Sequence, residues 1–161
     1  PVAVLLTHGH FDHMSAADDI RKRYNIKVYA GISERAVMTD ADSNLSMPFT
    51  GGSMTFEADE YFKPGDELML AGFRIRTIAV PGHTIGSVCY YFEDNKVLFS
   101  GDTLFAGSVG RSDFPTGNAG QLKRAIEAEL MILPDDVMVF PGHGESTTIG
   151  YERVNNPFIA G

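Results

Sequence analysis

The sequence predicts a single-domain α/β protein, and three observations predict it. The first forty residues alternate short apolar runs with helix-forming segments, in the order strand, helix, strand, helix. Beyond Met54 the pattern changes to β-hairpins. All five histidines of the 161-residue chain lie in loops just after apolar strands, where a rigid scaffold presents functional groups.

Each element follows from local pattern. Val2 to Leu6 is a continuous apolar run, as in a strand buried on both faces. Ser15-Ala16-Ala17-Asp18 reads as a capping box, opening a helix to about Tyr24 with Ile20 on its apolar side. Ile26 to Ala30 is a second strand, and Ser33 to Met38 a short helix. Residues 42–54 (DSNLSMPFTGGSM) hold turn formers with little periodicity and read as a loop. Lys63 to Asp66 is a turn, followed by strands at Glu67–Leu70 and Phe73–Val80 around Ala71-Gly72. Strands at Ser87–Phe92 and Lys96–Ser100 flank Glu93-Asp94-Asn95. Asn118 and Gln121 form another capping box, and the helix they open carries Leu122, Ile126 and Leu130 at fourfold spacing. Asp136 to Phe140 is a last strand and Thr148 to Val154 a last helix. Tyr90 and Tyr91 alternate across their strand, which places at least one in the core.

Composition narrows the function. A net charge of -8 without a basic patch argues against nucleic acid. Arg21-Lys22-Arg23 follows Asp18-Asp19 and reads as a solvated helix face. One cysteine, Cys89, excludes an internal disulfide framework and suits a buried small hydrophobe better than a nucleophile. No apolar stretch is long enough to span a bilayer, and a cytoplasmic location is expected.

The chemistry sits in the histidines. Residues 7–13 read THGHFDH, so three of the five histidines and Asp12 share one loop. His83 and His143 each follow a Pro-Gly pair, and Asp102 follows Gly101. Neutral imidazole and carboxylate are ligands for zinc, iron or manganese. Gly9 lets the backbone turn tightly between His8 and His10. One tetrahedral ion cannot take His8, His10, Asp12 and His13 and still leave room for His83 and His143. Two adjacent ions, roughly 3.5–4 Å apart, resolve this, and Asp102 has two oxygens with which to bridge them.

His8-Gly9-His10-Phe11-Asp12-His13, Pro81-Gly82-His83-Thr84, Ser100-Gly101-Asp102-Thr103-Leu104-Phe105 and Pro141-Gly142-His143-Gly144 together resemble the metallo-β-lactamase superfamily. GDTLF and GSVGRSDF bring the chain nearest to its glyoxalase II (hydroxyacylglutathione hydrolase)-like branch, in the short stand-alone form. The resemblance implies a four-layer αββα sandwich with metals at the sheet edges. It assigns His8, His10 and His83 to one metal, Asp12, His13 and His143 to the other, and Asp102 to both. Two Zn²⁺ are expected, with iron or manganese as alternatives. Family members carry further strands before the histidine loop, so 1–161 reads as one domain lacking them. An exposed apolar edge is then expected, met by a second copy or by an N-terminal segment of its own.

This reading makes the protein a hydrolase of a thioester or related acyl bond. A metal-bridging water, its pKa lowered to about 7, supplies hydroxide. The His8–His10–His83 metal stabilises the oxyanion, and the other receives the leaving thiolate. Asp12 and Asp102 are the candidate catalytic carboxylates. Arg111, Phe105 and Phe114 are candidates for the substrate pocket. Arg111 with Asp113 also suits a loop-bracing ion pair. Thr7, Thr84 and Thr103 are placed to brace ligands. Two rivals differ in chemistry. A persulfide dioxygenase would hold one iron on His8, His83 and Asp102, and Gly110 to Phe114 resembles a stretch of such enzymes. The other rival is an inactive truncated metal-binding fragment.

Overall fold

The structure, a computed structural model, describes residues 1–159. The first half runs β1 (Ala3–Leu5), α1 (Phe11–Met14), α2 (Ala17–Tyr24) and β2 (Lys27–Gly31). A 3-10 turn (Ile32–Glu34), α3 (Arg35–Met38), α4 (Ser46–Thr50) and β3 (Glu60–Phe62) follow. The second half opens with β4 (Glu67–Leu70), β5 (Phe73–Ala79), β6 (Val88–Phe92) and β7 (Val97–Gly101). A small hairpin, β8 (Leu104–Phe105) and β9 (Ser108–Val109), leads to α5 (Ala119–Ala125), which continues as a π-helical turn through Leu130. The described chain closes with β10 (Met138–Pro141), β11 (Thr147–Thr148) and α6 (Ile149–Asn155).

Apart from the β8–β9 hairpin, the strands make two sheets. β1, β2 and β3 pair in parallel. The larger sheet has the order β11-β10-β7-β6-β5-β4, with β10 parallel to β7 and its other pairs antiparallel. Strand alternation then sets the layers. Val28 and Ala30 of β2 pack with Met14, Ala17 and Met38 of the helices, while Tyr29 packs with Phe62, Val88 and Tyr90 between the sheets. Cys89 and Tyr91 face the other way, onto Leu122, Ile126, Leu130 and Ile149. The result is helix, sheet, sheet, helix, the αββα order expected. Both tyrosines are buried, one on each face of β6. Burial pushes the Cys89 thiol up to about 12, which makes it a packing group.

Caps and turns follow local chemistry where the expectation was local. Asn118 accepts from the Gln121 N–H and Thr148 from the Tyr151 N–H, opening α5 and α6. Ala71 and Gly72 both have positive φ (52° and 82°), the two-residue turn that joins β4 to β5.

Four local expectations fail. Ser15 does not cap α2. The histidine loop itself coils into α1, and the Ser15 N–H closes that turn on the Phe11 carbonyl; the N-cap of α2 is Ala16, with no side-chain bond. Residues 42–54 are not all loop, because buried Asn44 organises α4. Its side chain donates to the Met54 carbonyl (2.7 Å) and accepts from the Ser46 N–H (2.9 Å). β3, β8 and β9 were not expected, being two- and three-residue strands defined by their partners. β1 is half-buried rather than buried on both faces. It pairs with β2, and its other edge has no strand among the described residues. A cleft lined by Leu5, Tyr90, Phe99 and Phe140 opens beside it. No helix among the described residues is long and apolar enough to cross a membrane.

Tyr90 ties the sheets together, its hydroxyl donating to the Leu6 carbonyl at 2.7 Å, two residues before His8. Tyr90→Phe is therefore expected to lower unfolding free energy by about 1 kcal/mol. Urea denaturation checks this, and an unchanged midpoint would show that the bond adds nothing.

Candidate metal centre

Three histidines and Asp102 are delivered by the ends of strands. His8 follows β1, His83 follows β5, Asp102 follows β7 and His143 follows β10. α1 does the rest. His10 is its extended N-cap (φ -70°, ψ 148°), and Asp12 and His13 lie on its single turn. The Phe11 N–H donates to the Asn44 carbonyl, fixing that turn. The flanking glycines are needed because neighbours crowd them. Gly82 has φ 133°, and a Cβ there would overlap the backbone of Leu122. A Cβ on Gly142 would overlap the Asp102 carboxylate and come within 2.7 Å of the His13 ring.

The seven residues singled out by the motifs converge. Donor atoms of His8, His10 and His83 lie within 4.8 Å of one another, as do those of Asp12, His13 and His143, and of His8, His13 and Asp102. Asp102 stands between the first two groups. Its oxygens are 3.4 Å from His13 Nε2, 3.6 Å from His143 Nε2 and 3.7 Å from His83 Nε2. The first trio is buried, while His143 and Asp12 reach solvent.

Hydrogen bonding leaves lone pairs without partners. The His83 Nδ1–H donates to the Arg111 carbonyl at 2.6 Å, so Nε2 of the neutral ring is an acceptor. That Nε2 faces His10 Nδ1 at 3.0 Å. If His10 donates from Nδ1, its own Nε2 becomes a buried acceptor, and no partner stands there. His8 Nδ1 sits 3.1 Å from the Thr7 hydroxyl, and its Nε2 is also buried and unpartnered. Asp102 Oδ1 is a third such atom, with His13 Nε2 at 3.4 Å but no hydrogen bond between them. His13 Nε2 and His143 Nε2 stand 3.2 Å apart. Buried acceptors without donors are costly, and cations held among them would satisfy them. The donor set fits divalent metal.

Electrostatics agree with neutral imidazoles in the buried trio. Burial, then the neighbouring histidines, drive His8 well below its usual value. Burial and His83 take His10 down to about 4, and burial lowers His83. His13 goes the other way: burial opposes its charge, but Asp102 and then Asp12 outweigh it. Burial likewise opposes the Asp102 charge, and His13, His83 and His143 hold its carboxyl below the usual range.

Beside the centre lies a cavity of about 360 Å³ that includes Phe105, Arg111 and Phe114 in its wall. Leu45, Phe49 and Phe11 line it too and were not anticipated. Phe11 lies inside the histidine motif, and Phe49 is an aromatic in a turn-rich stretch, which is the signal that points to it. Arg111 pairs bidentately with Asp113 at 2.7 and 2.9 Å and lies 4.0 Å over the Phe114 ring. Among the three threonines only Thr7 touches a ligand side chain; Thr84 bonds Glu34 and Ser87 instead.

Residues 1–143 match the sequence model described as the metallo-beta-lactamase superfamily. The chain belongs to the metallo-beta-lactamase superfamily. Among curated relatives in it, a probable metallo-hydrolase YqgX of Bacillus subtilis is 40% identical, spanning all of this chain and 77% of that protein. Hydroxyacylglutathione hydrolase GloC of Haemophilus influenzae is 35% identical, over 97% of this chain and 74% of its own. Solved structures of superfamily relatives agree. BLEG-1 B3 metallo-beta-lactamase is 40% identical with a TM-score of 0.94, over all of this chain and 78% of that one. TTHA1623, solved in a di-iron-bound form, is 34% identical with a TM-score of 0.85, over 99% and 78%.

The buried neutral imidazoles make the metal-free superfamily domain acid-sensitive. His10 titrates near 6.5 when unfolded and about 4 when folded. As pH falls between these values the unfolded state binds the proton first. Stability is therefore full above the upper value and is lost down to the lower one. His8 and His83 act in the same direction, and His13 opposes them. Urea midpoints of chelator-treated protein should fall across that window. A midpoint that is flat or rises on acidification would contradict the burial of neutral rings.

Proposed function

We propose that this metallo-hydrolase of the metallo-beta-lactamase superfamily cleaves a thioester bond, in the manner of glyoxalase II, using two metal ions with zinc foremost. The carrying observation is the pair of donor trios meeting at Asp102 on the wall of an aromatic cavity. His8, His10 and His83 would hold one ion, Asp12, His13 and His143 the other, and Asp102 would reach both. When bound, such ions supply Lewis acidity, lowering the pKa of coordinated water to about 7 and polarising an acyl oxygen.

The chain's own groups supply the rest. Asp12 lies in the cavity wall and is open to solvent, where it is placed to take up and pass on a proton. Asp102, kept ionised by the surrounding imidazoles, fixes the spacing of the two trios. The Arg111 carbonyl and the Thr7 hydroxyl orient His83 and His8. Phe11, Phe49 and Phe114 form an apolar wall, with Phe49 stacked on Phe11 at 6.3 Å and edge-on to Phe114 at 5.9 Å. That wall suits the apolar part of an acyl thioester. A covalent cysteine route is unsupported, because Cys89 is wholly buried in the layer beneath α5. The likeness to GloC supports thioester chemistry over a one-iron oxygenase, as does the gathering of seven donor residues where three would serve.

Purified protein should hydrolyse S-acyl thioesters with only weak dependence on the glutathionyl portion. Phe49→Ala should raise KM about tenfold for an aromatic acyl group, the equivalent of 1.4 kcal/mol, with kcat little changed. Oxygen uptake with a persulfide, and no thioester hydrolysis, would move the protein to the dioxygenase class.

A further inference from the structure

Glu34 ends the 3-10 turn after β2, and its side chain is wholly buried. Among the described residues it makes no ion pair. Its partners are three donors from two loops. Oε2 accepts from the Gly9 N–H at 2.6 Å. Oε1 accepts from the Gly86 N–H at 2.7 Å and the Thr84 hydroxyl at 2.8 Å. Gly9 lies between His8 and His10, and Thr84 follows His83. One carboxylate thus joins the two loops that carry the buried trio. The approach is close enough to need glycine at both ends. A Cβ on Gly9 would come within 2.7 Å of Met38 and 3.2 Å of Glu34 Oε2, and one on Gly86 within 2.7 Å of the Ser33–Glu34 backbone.

Burying a carboxylate without a cation is unfavourable unless its hydrogen bonds compensate. A neutral side chain could fill the space, but it could not accept from both loops at once. We propose that Glu34 is the positioning residue of the buried metal site: it sets the distance between the His8–His10 loop and the His83 loop, and through that the metal affinity of this trio. This rests on the metal reading given above. The other metal site, on Asp12, His13 and His143, has no contact with Glu34 and should not feel its loss.

The molecule supplies its own control. Glu152 is equally buried and also accepts three hydrogen bonds, from the Gly107 N–H, the Thr147 hydroxyl and the Asn156 side chain. It touches neither loop of the buried trio. Glu34→Gln turns one acceptor into an –NH₂ that must face the Gly9 or the Gly86 N–H, donor against donor. Glu34→Asp keeps both oxygens but withdraws them by one methylene.

The experiment titrates Co²⁺ into metal-free wild type, Glu34→Gln, Glu34→Asp and Glu152→Gln against a competing chelator, following the visible Co²⁺ spectrum. In Glu34→Gln one metal equivalent should weaken on the order of 10–100-fold, the usual effect of losing a supporting group, with its spectrum altered and the other equivalent unchanged. Glu152→Gln should unfold more easily yet keep wild-type affinity in the buried site. If Glu34→Gln does not fold, Glu34→Asp decides, with weakening of the same equivalent expected. Wild-type affinity in a folded Glu34 variant, or equal weakening of both equivalents, overturns the proposal while the metal reading stands. A wild type that binds no Co²⁺ overturns both.

Discussion

Imidazole nitrogens that face one another with lone pairs exposed are held apart by electrostatics unless a cation or proton lies between them. Here two imidazole pairs stand 3.0 and 3.2 Å apart, close enough to share a proton or a cation, with two carboxylates among them. The rest of the architecture makes this crowding tolerable. Four strand ends and one helical turn bring the groups in from separate directions, so that no single loop has to fold back on itself. The hydrophobic layers on either side of each sheet provide the free energy that holds the strand ends in place. The site is a crowded polar cluster on a well-packed apolar frame, with buried acceptors that positive charge would satisfy.

The frame reaches the cluster through a few specific contacts. The Tyr90 hydroxyl joins the sheets at the residue where β1 gives way to the histidine loop. Gly82 brings the His83 loop against the backbone that opens α5, and Gly142 brings the His143 loop against Asp102. Glu34 spans the two loops of the buried trio. The site is also graded in exposure. His8 is wholly buried and His10 and His83 meet the aromatic cavity with little exposure, whereas Asp12 and His143 open from it to solvent.

Much of this is legible in the sequence where the physics is local. The alternation in Phe73 to Ala79, the cap at Asn118, the helix beginning near Thr148 and the turn at Ala71-Gly72 depend on neighbours in the chain, and each appears as read. So does the placing of His8, His83 and His143 just after strands, while His10 and His13 sit on α1. The αββα layering came from resemblance to the family, and the core clusters bear it out. What could not be read depends on distant partners. β3 exists because β2 offers it an edge, and β8 and β9 because they pair with each other. α4 exists because Asn44 folds the turn around itself. Ser15 looked like a cap because the helical turn made by Phe11 to Met14 is invisible to a rule that treats the histidine loop as irregular. Glu34, in a stretch reading ISERAV, looks like an exposed helix residue. Only the approach of Gly9 and Gly86 reveals its burial. Phe49 stands out as an aromatic in a turn-rich segment, but that pattern does not say which cavity it faces.

The central claim is that these seven side chains form two adjoining metal sites sharing Asp102. Anomalous diffraction from crystals of the protein as isolated, collected across the zinc, iron and manganese edges, tests it most directly. The account predicts two peaks, one within His8, His10 and His83 and one within Asp12, His13 and His143, both within reach of the Asp102 carboxylate. A single peak, or metal bound away from these groups, would contradict it.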